Sequence, residues 1–266
     1  MKFRPCIDIH NGAVKQIVGS TLRDAGDRAQ ENFVSEVDAP FYAKLYQEKG
    51  IRGGHVIMLN KADSPYYEAT KEQALAALKA YPKGLQVGGG ITPENAKEFL
   101  DAGASHVIVT SYVFAGGMIR FPNLEKLVAT VGKRRLVLDV SCRFFGDGYY
   151  VCTDRWQKRT DFMLTPENLD TLSVYCDEFL IHAVDVEGKT SGIEEKLVEL
   201  LSAWIDRHED FHEKVTYAGG VRSISDIKAI GGELGDGHIN VTIGSALDLF
   251  GGNLKMEDVL AFTQRA

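Results

Sequence analysis

The chain has 266 residues, a formal charge of −7, 44% hydrophobic residues and 25% charged residues. That length allows one large domain with its own core, and the composition is that of an ordinary globular protein. No long basic run and no apolar run of about 18 residues occurs, which argues against a nucleic-acid partner and against a membrane span.

Short apolar runs alternate with amphipathic helical patterns along the whole chain. A strand over Arg4–Ile9 is followed by a long irregular stretch, Ser20–Ala39, and a helix over Pro40–Lys49. A strand over Gly54–Leu59 precedes a helix over Lys71–Tyr81, and Leu85–Val87 precedes Pro93–Ala102, where Thr92-Pro93 reads as a helix start. His106–Thr110 leads to Leu124–Val131, and Arg135–Val140 leads into a second irregular stretch, Cys142–Pro166. The strands Phe179–Ala183, Val215–Ala218 and Asn240–Ile243 alternate with the helices Ile193–Arg207 and Ile224–Ile230. Several strands are apolar on both faces, as buried parallel strands are. Eight strand-then-helix units imply a closed barrel or a doubly wound sheet.

An internal repeat selects the barrel. Gly89 matches Gly219 at an offset of 130, Asp8 matches Asp139 at 131 and Ser111 matches Ser245 at 134, in the same order in both halves. The expected fold is therefore an α/β (β/α)8 TIM barrel made of two duplicated (βα)4 half-barrels, residues 1–132 and 133–266, in a single domain. Both long irregular stretches follow the first strand of a half, where lids and binding loops are built.

Asp8 and Asp139 are the expected catalytic pair. Each sits near the C-terminal end of the first strand of its half, the end at which barrel active sites lie. Two carboxylates in different surroundings supply one acid and one base. Gly89, Gly90 and Ser111 close strands of the first half, and Gly220, Gly244 and Ser245 close strands of the second. Glycine lets backbone N–H groups approach phosphate oxygens and serine adds a donor, so each half offers a phosphate site. The expected ligand is a small molecule with a phosphate at each end. His182 could donate to a sugar, and Trp156 could stack on a planar heterocycle or simply pack. Arg143 and Arg155 could reach an anion or a carboxamide. Asp185 and Glu187 are equally open to sugar binding and to structural work. No HxH, HExxH or GxGxxG pattern occurs, so neither metal nor cofactor is expected. Cys6, Cys142, Cys152 and Cys176 have no zinc spacing and read as reduced, mostly buried thiols.

Several strings resemble the HisA family, the ribotide isomerases of histidine biosynthesis. They are Cys6-Ile-Asp-Ile-His-Asn-Gly12, Leu85-Gln-Val-Gly-Gly-Gly-Ile91, Val137-Leu-Asp-Val-Ser141, Val184-Asp-Val-Glu-Gly188, Tyr217-Ala-Gly-Gly-Val-Arg222 and Gly244-Ser-Ala-Leu-Asp-Leu-Phe-Gly-Gly-Asn253. The first and last look like the eukaryotic branch. The resemblance implies an Amadori rearrangement of a bisphosphorylated aminoaldose, phosphoribosylformimino-aminoimidazole carboxamide ribotide, to an aminoketose. It assigns Asp8 as base and Asp139 as acid. Thr92 stands where the bacterial pattern has arginine, His182 falls near a threonine, and Glu187 falls near an aspartate. The chain is expected to act as a monomer in the cytoplasm, or in the plastid stroma if a transit peptide has been removed. The rival readings are the cyclase subunit of imidazole glycerol phosphate synthase, suggested also by Thr21–Asp27, a phosphoribosylanthranilate isomerase, and a non-catalytic phosphosugar-binding barrel.

Overall fold

In the computed structural model, residues 1–17, 21–22, 29–153, 156–187 and 191–264 are described. Among them, eight parallel strands form the barrel: β1 (Cys6–His10), β2 (Gly54–Met58), β3 (Leu85–Gly88), β4 (Val107–Val109), β5 (Leu136–Asp139), β6 (Glu178–His182), β7 (Val215–Ala218) and β8 (Ile239–Thr242). Each pairs in parallel with the next, from β1 to β8. The ring closes just before β1, where Phe3 pairs in parallel with Val241 and Arg4 N donates to Val241 O at 2.9 Å. A row of partners starting at Asp8 runs through Ile57, Gly88, Ile108 and Val137 to Glu178 and so climbs steadily. This is the stagger, about 8 residues per circuit, that closure of eight strands requires.

The helices α1 (Ala39–Glu48), α2 (Tyr67–Ala80), α3 (Pro93–Asp101), α4 (Phe121–Val131), α5 (Pro166–Ser173), α6 (Glu195–Ile205), α7 (Ile224–Lys228) and α8 (Met256–Thr263) follow the strands in order. Three begin alike, with a polar cap and a proline in the first turn. Asp38 Oδ1 accepts from Phe41 N at 3.1 Å, Thr165 Oγ1 accepts from Asn168 N at 3.2 Å, and Asn95 Oδ1 accepts from Thr92 N at 2.8 Å. Each bond satisfies a backbone donor that the first turn leaves open. α5 and α8 lie outside the helices expected from the sequence.

Strand alternation sorts the barrel's side chains into two sets. One set, including Val56, Val87, Val107, Leu138, Ile181, Tyr217 and Val241, joins the large core with the helices. The other fills the interior, where Ile108, Val137, Leu180 and Ala218 form a separate apolar plug packed with Ile57. One step below it the interior is polar: Arg4, His55, Gln86, Glu178, Thr216 and Asn240 are buried. Arg4 Nη1 bonds Glu178, whose Oε2 also accepts from Gln86 Nε2 at 2.7 Å. One step above the plug are Asp139, His182 and Thr110. The plug thus separates a structural polar layer from a chemical one.

Both long stretches after the first strand of a half carry strands. Ala13–Ile17 and Glu31–Val34 extend the sheet antiparallel from β1. Cys142–Phe144, Tyr149–Thr153 and Lys158–Met163 form a three-stranded antiparallel sheet after β5. Irregular structure is expected over Ser20–Ala39 and Cys142–Pro166, which hold all of these strands except Ala13–Ile17; the alternation is short and broken by bulges at Gln16/Ile17 and Tyr150/Cys152, which masks it. The four cysteines are buried and unpaired. No helix among the described residues is long and apolar enough to cross a membrane.

Candidate active site

A cavity of about 960 Å³ opens at the C-terminal ends of the barrel strands. Asp8 from β1 and Asp139 from β5 both line it, on strands four places apart in the ring. Gly89, Gly90, Ser111, Trp156, His182 and Ser245 line it too. Gly220, Gly244 and Ser245 line a smaller adjoining recess with Glu187, which reaches both spaces.

The two carboxylates sit in unlike surroundings. Asp139 accepts three hydrogen bonds: Thr110 Oγ1 lies 3.1 Å from Oδ2, Ser141 Oγ 2.9 Å from Oδ1, and His182 Nδ1 3.1 Å from Oδ1. Burial alone would raise its pKa, but His182, Ser141 and Thr110 together outweigh burial and hold it below the usual value. Asp139 is an anion. Thr110, just before Ser111 at the end of β4, is turned to this carboxylate.

Asp8 has weaker support. Gln16 Nε2 donates to its Oδ2 at 3.2 Å and lies 3.5 Å from Cys6 Sγ. Burial pushes the Asp8 pKa up to about 6; contact with Cys6 and the charge of His182 oppose this, while the charge of Glu187 adds to it. A carboxylate that titrates near neutrality is suited to take up a proton and return it. Gln16 was not singled out from the sequence, because its strand follows a turn that folds back on β1.

The glycine turns of the halves share a geometry. Gly89 and Gly90 have φ of +99° and +68°, and Gly219 and Gly220 have +120° and +73°. A Cβ on Gly89 would lie 2.0 Å from Met58 O, and one on Gly220 would lie 2.0 Å from Gly192 O. Neither position tolerates a side chain, because backbone crosses backbone there. Thr92, in the place of an arginine, is the N-cap of α3. Cations reach the cavity from elsewhere: Lys61, Lys158 and Arg159 line it, the last two from the sheet after β5.

Trp156 has a left-handed backbone, φ +65°, and its ring lies 5.9 Å from that of His182, tilted by 40°. Its neighbour Gln157 donates through Nε2 to Leu22 O at 3.4 Å, so the stretches after β1 and β5 meet over the mouth. Arg143 is not brought to the cavity. Its Nε lies 2.9 Å from Asp185 Oδ1, and Asp185 Oδ2 accepts from Phe144 N at 3.1 Å. Charge pairing on the short strand Cys142–Phe144 turns Arg143 toward the loop after β6, and Asp185 anchors that strand. Arg155 and most of Thr21–Asp27 lie outside the described residues. Among the described residues, one cluster of metal-ligating types exists, His106, Asp177 and Glu178, at the opposite rim. Lys214 and Arg4 already hold its carboxylates.

A closed α/β barrel with two carboxylates of different basicity at one mouth, between paired glycine turns, is the architecture of a barrel enzyme using acid–base chemistry. The family described as "Histidine biosynthesis protein" matches residues 2–255, and the chain belongs to it. Among its relatives is a chloroplastic (phosphoribosylamino)methylideneamino-imidazole-carboxamide isomerase of Medicago truncatula, 51% identical over 98% of this chain and 81% of the relative. Proteins of the same name from Neurospora crassa and Saccharomyces cerevisiae are 47% and 44% identical, covering 94% and 99% of this chain and 93% and 98% of theirs.

Proposed function

We propose that the chain is the isomerase of histidine biosynthesis that its relatives are named for, an aldose–ketose isomerase acting on a bisphosphorylated ribosyl-amine. The observation that carries this reading is the pair Asp8 and Asp139, set on β1 and β5 around one cavity and held in opposite electrostatic conditions. The acid side, around Asp139, protonates the ribose ring oxygen. The C1′–O bond breaks, its electron pair stays on oxygen, and the amine lone pair forms a Schiff base. Asp8 removes the C2′ proton to give an enolamine. Reprotonation at C1′ and loss of the O2′ proton leave the aminoketose, with no net proton consumed.

Gly89, Gly90 and Ser111 are suited to one phosphate and Gly220, Gly244 and Ser245 to the other. Trp156, which lines the cavity, is read as the stacking partner of the heterocycle. The matched glycine geometry supports the reading of two half-barrels meeting near residue 132. We read the protein as a monomer of the cytoplasm or the plastid stroma, without nucleic-acid or membrane partners and without cofactor or metal. The relatives' names favour the isomerase over the cyclase and the non-catalytic barrel. A spectrophotometric assay on the bisphosphorylated aminoaldose, with chelator and without glutamine or ammonia, tests the reading. Turnover is expected; none at any pH would refute it.

A further inference from the structure

A general acid must hold a proton when the step begins, and the surroundings of Asp139 favour its charged form. Its oxygens accept from Thr110, Ser141 and His182, at 2.9 to 3.1 Å. A carboxylate facing three donors keeps its negative charge. The one member of this group able to carry a transferable proton at neutral pH is His182. Its Nδ1 is taken by Asp139 Oδ1, its ring lies against Trp156, and its side chain, 13% exposed, lines the cavity.

We propose that His182 is the catalytic acid, giving the proton on its Nε2 to the ribosyl ring oxygen, and that Asp139 is a positioning residue that fixes the ring and balances the imidazolium charge. The proposal rests on the isomerase reading above and assigns the acid within it. In the step, the Nε2–H bond breaks and the O–H bond forms as C1′–O cleaves, leaving neutral imidazole; the O2′ proton released later restores the imidazolium. No other reactant is needed. A carboxylate that orients an imidazole and stabilises its charged form is an established way to make histidine a competent proton carrier.

The charges around the ring favour this. Asp139 comes from β5, Asp8 from β1 and Glu187 from the loop after β6, and all three attract the imidazolium. Glu187 is half-buried, with an enclosed Oε2 that lacks a hydrogen-bond partner; burial raises its pKa and the charge of His182 opposes this. Against them stands His55 on β2, which burial, foremost, keeps neutral, with a pKa of about 3. Burial also opposes a charge on His182, but the carboxylates overcome it and its pKa rises to about 9. The sequence signal is that His182 falls near a threonine of the family pattern. Threonine can donate to Asp139 but cannot carry a transferable charge.

The test uses His182→Asn and His182→Gln, whose amides can still donate to Asp139 but do not titrate. Turnover is expected to fall about a hundredfold, as removal of a general acid does, with KM changed by less than about threefold. In wild type the alkaline limb of kcat/KM is expected near the His182 pKa, about 9. In both variants that limb should disappear. Added imidazole should restore part of the activity of His182→Ala, following its imidazolium fraction. A measurement on unmutated protein needs no variant to fold: the His182 imidazole signals in NMR of the substrate-free protein should report a charged ring at neutral pH. A neutral ring there, or wild-type kcat and an unchanged alkaline limb in His182→Asn, overturns the proposal. An inactive wild type would instead overturn the isomerase reading on which it depends.

Discussion

Replacing Gln16 by methionine isolates the control of the base. Methionine keeps the length of the side chain but has no N–H to offer Asp8 Oδ2, which Gln16 Nε2 reaches at 3.2 Å. That bond favours only the charged carboxylate, so its loss must raise the Asp8 pKa. A hydrogen bond to a charged group contributes about 1.5–3 kcal/mol, and each pH unit corresponds to about 1.4 kcal/mol, so the shift is about 1–2 units. Wild type starts at about 6. At pH 7 the ionised fraction would then fall from about nine tenths to between about half and a tenth. The assay is initial velocity at limiting aminoaldose from about pH 5 to about pH 9, since the acid limb of kcat/KM reports the free protein's base. The limb should move upward while the rate at its plateau stays within a fewfold of wild type. A limb that remains near 6, or moves down, would refute the reasoning.

Asp8→Asn and Asp139→Asn should each lower turnover by a factor of about a hundred or more while substrate still binds, measurable by calorimetry beside the rate assay. Gly89→Ala places a Cβ 2.0 Å from Met58 O. It should cost about 2–5 kcal/mol in urea unfolding, whereas Gly90→Ala, with open space around it, should cost only the backbone strain of about 1–2 kcal/mol. Equal losses would show that the close approach does not matter. Asp177 is held down to about 2, first by the hydrogen bond from His106 and then by Lys214. A depressed carboxylate stabilises the fold above its unfolded pKa of 3.8 and loses that contribution as pH falls toward 2. Thermal melts of Asp177→Asn should therefore lie below wild type at neutral pH and converge with it in acid.

The barrel was legible because its signals are local and repeated. Strands of three to six mostly apolar residues, first-turn prolines and a pattern recurring after about 130 residues each had a place in the order. What sequence missed depends on contacts between distant segments. Gln16 meets Asp8 only because Ala13–Ile17 folds back on β1. Thr110 is drawn to Asp139 by the pairing of β4 with β5. Arg143 reads as an anion ligand until Asp185, on another loop, is seen to take it. The division of labour between two carboxylates is a property of their surroundings, of which only Cys6 and Ser141 lie within two residues of their target.

The polar layer, the apolar plug and the chemical layer sit on the same strands, yet the roof over them belongs to different stretches of chain: the ribbon after β1 and the small sheet after β5. Arg4, Gln86 and Glu178 keep the base rigid without reference to that canopy. A transplant of residues 142–163 from a relative could thus redraw ligand preference with the proton-transfer groups left in place, and such grafts give this scaffold a ready route to new substrates.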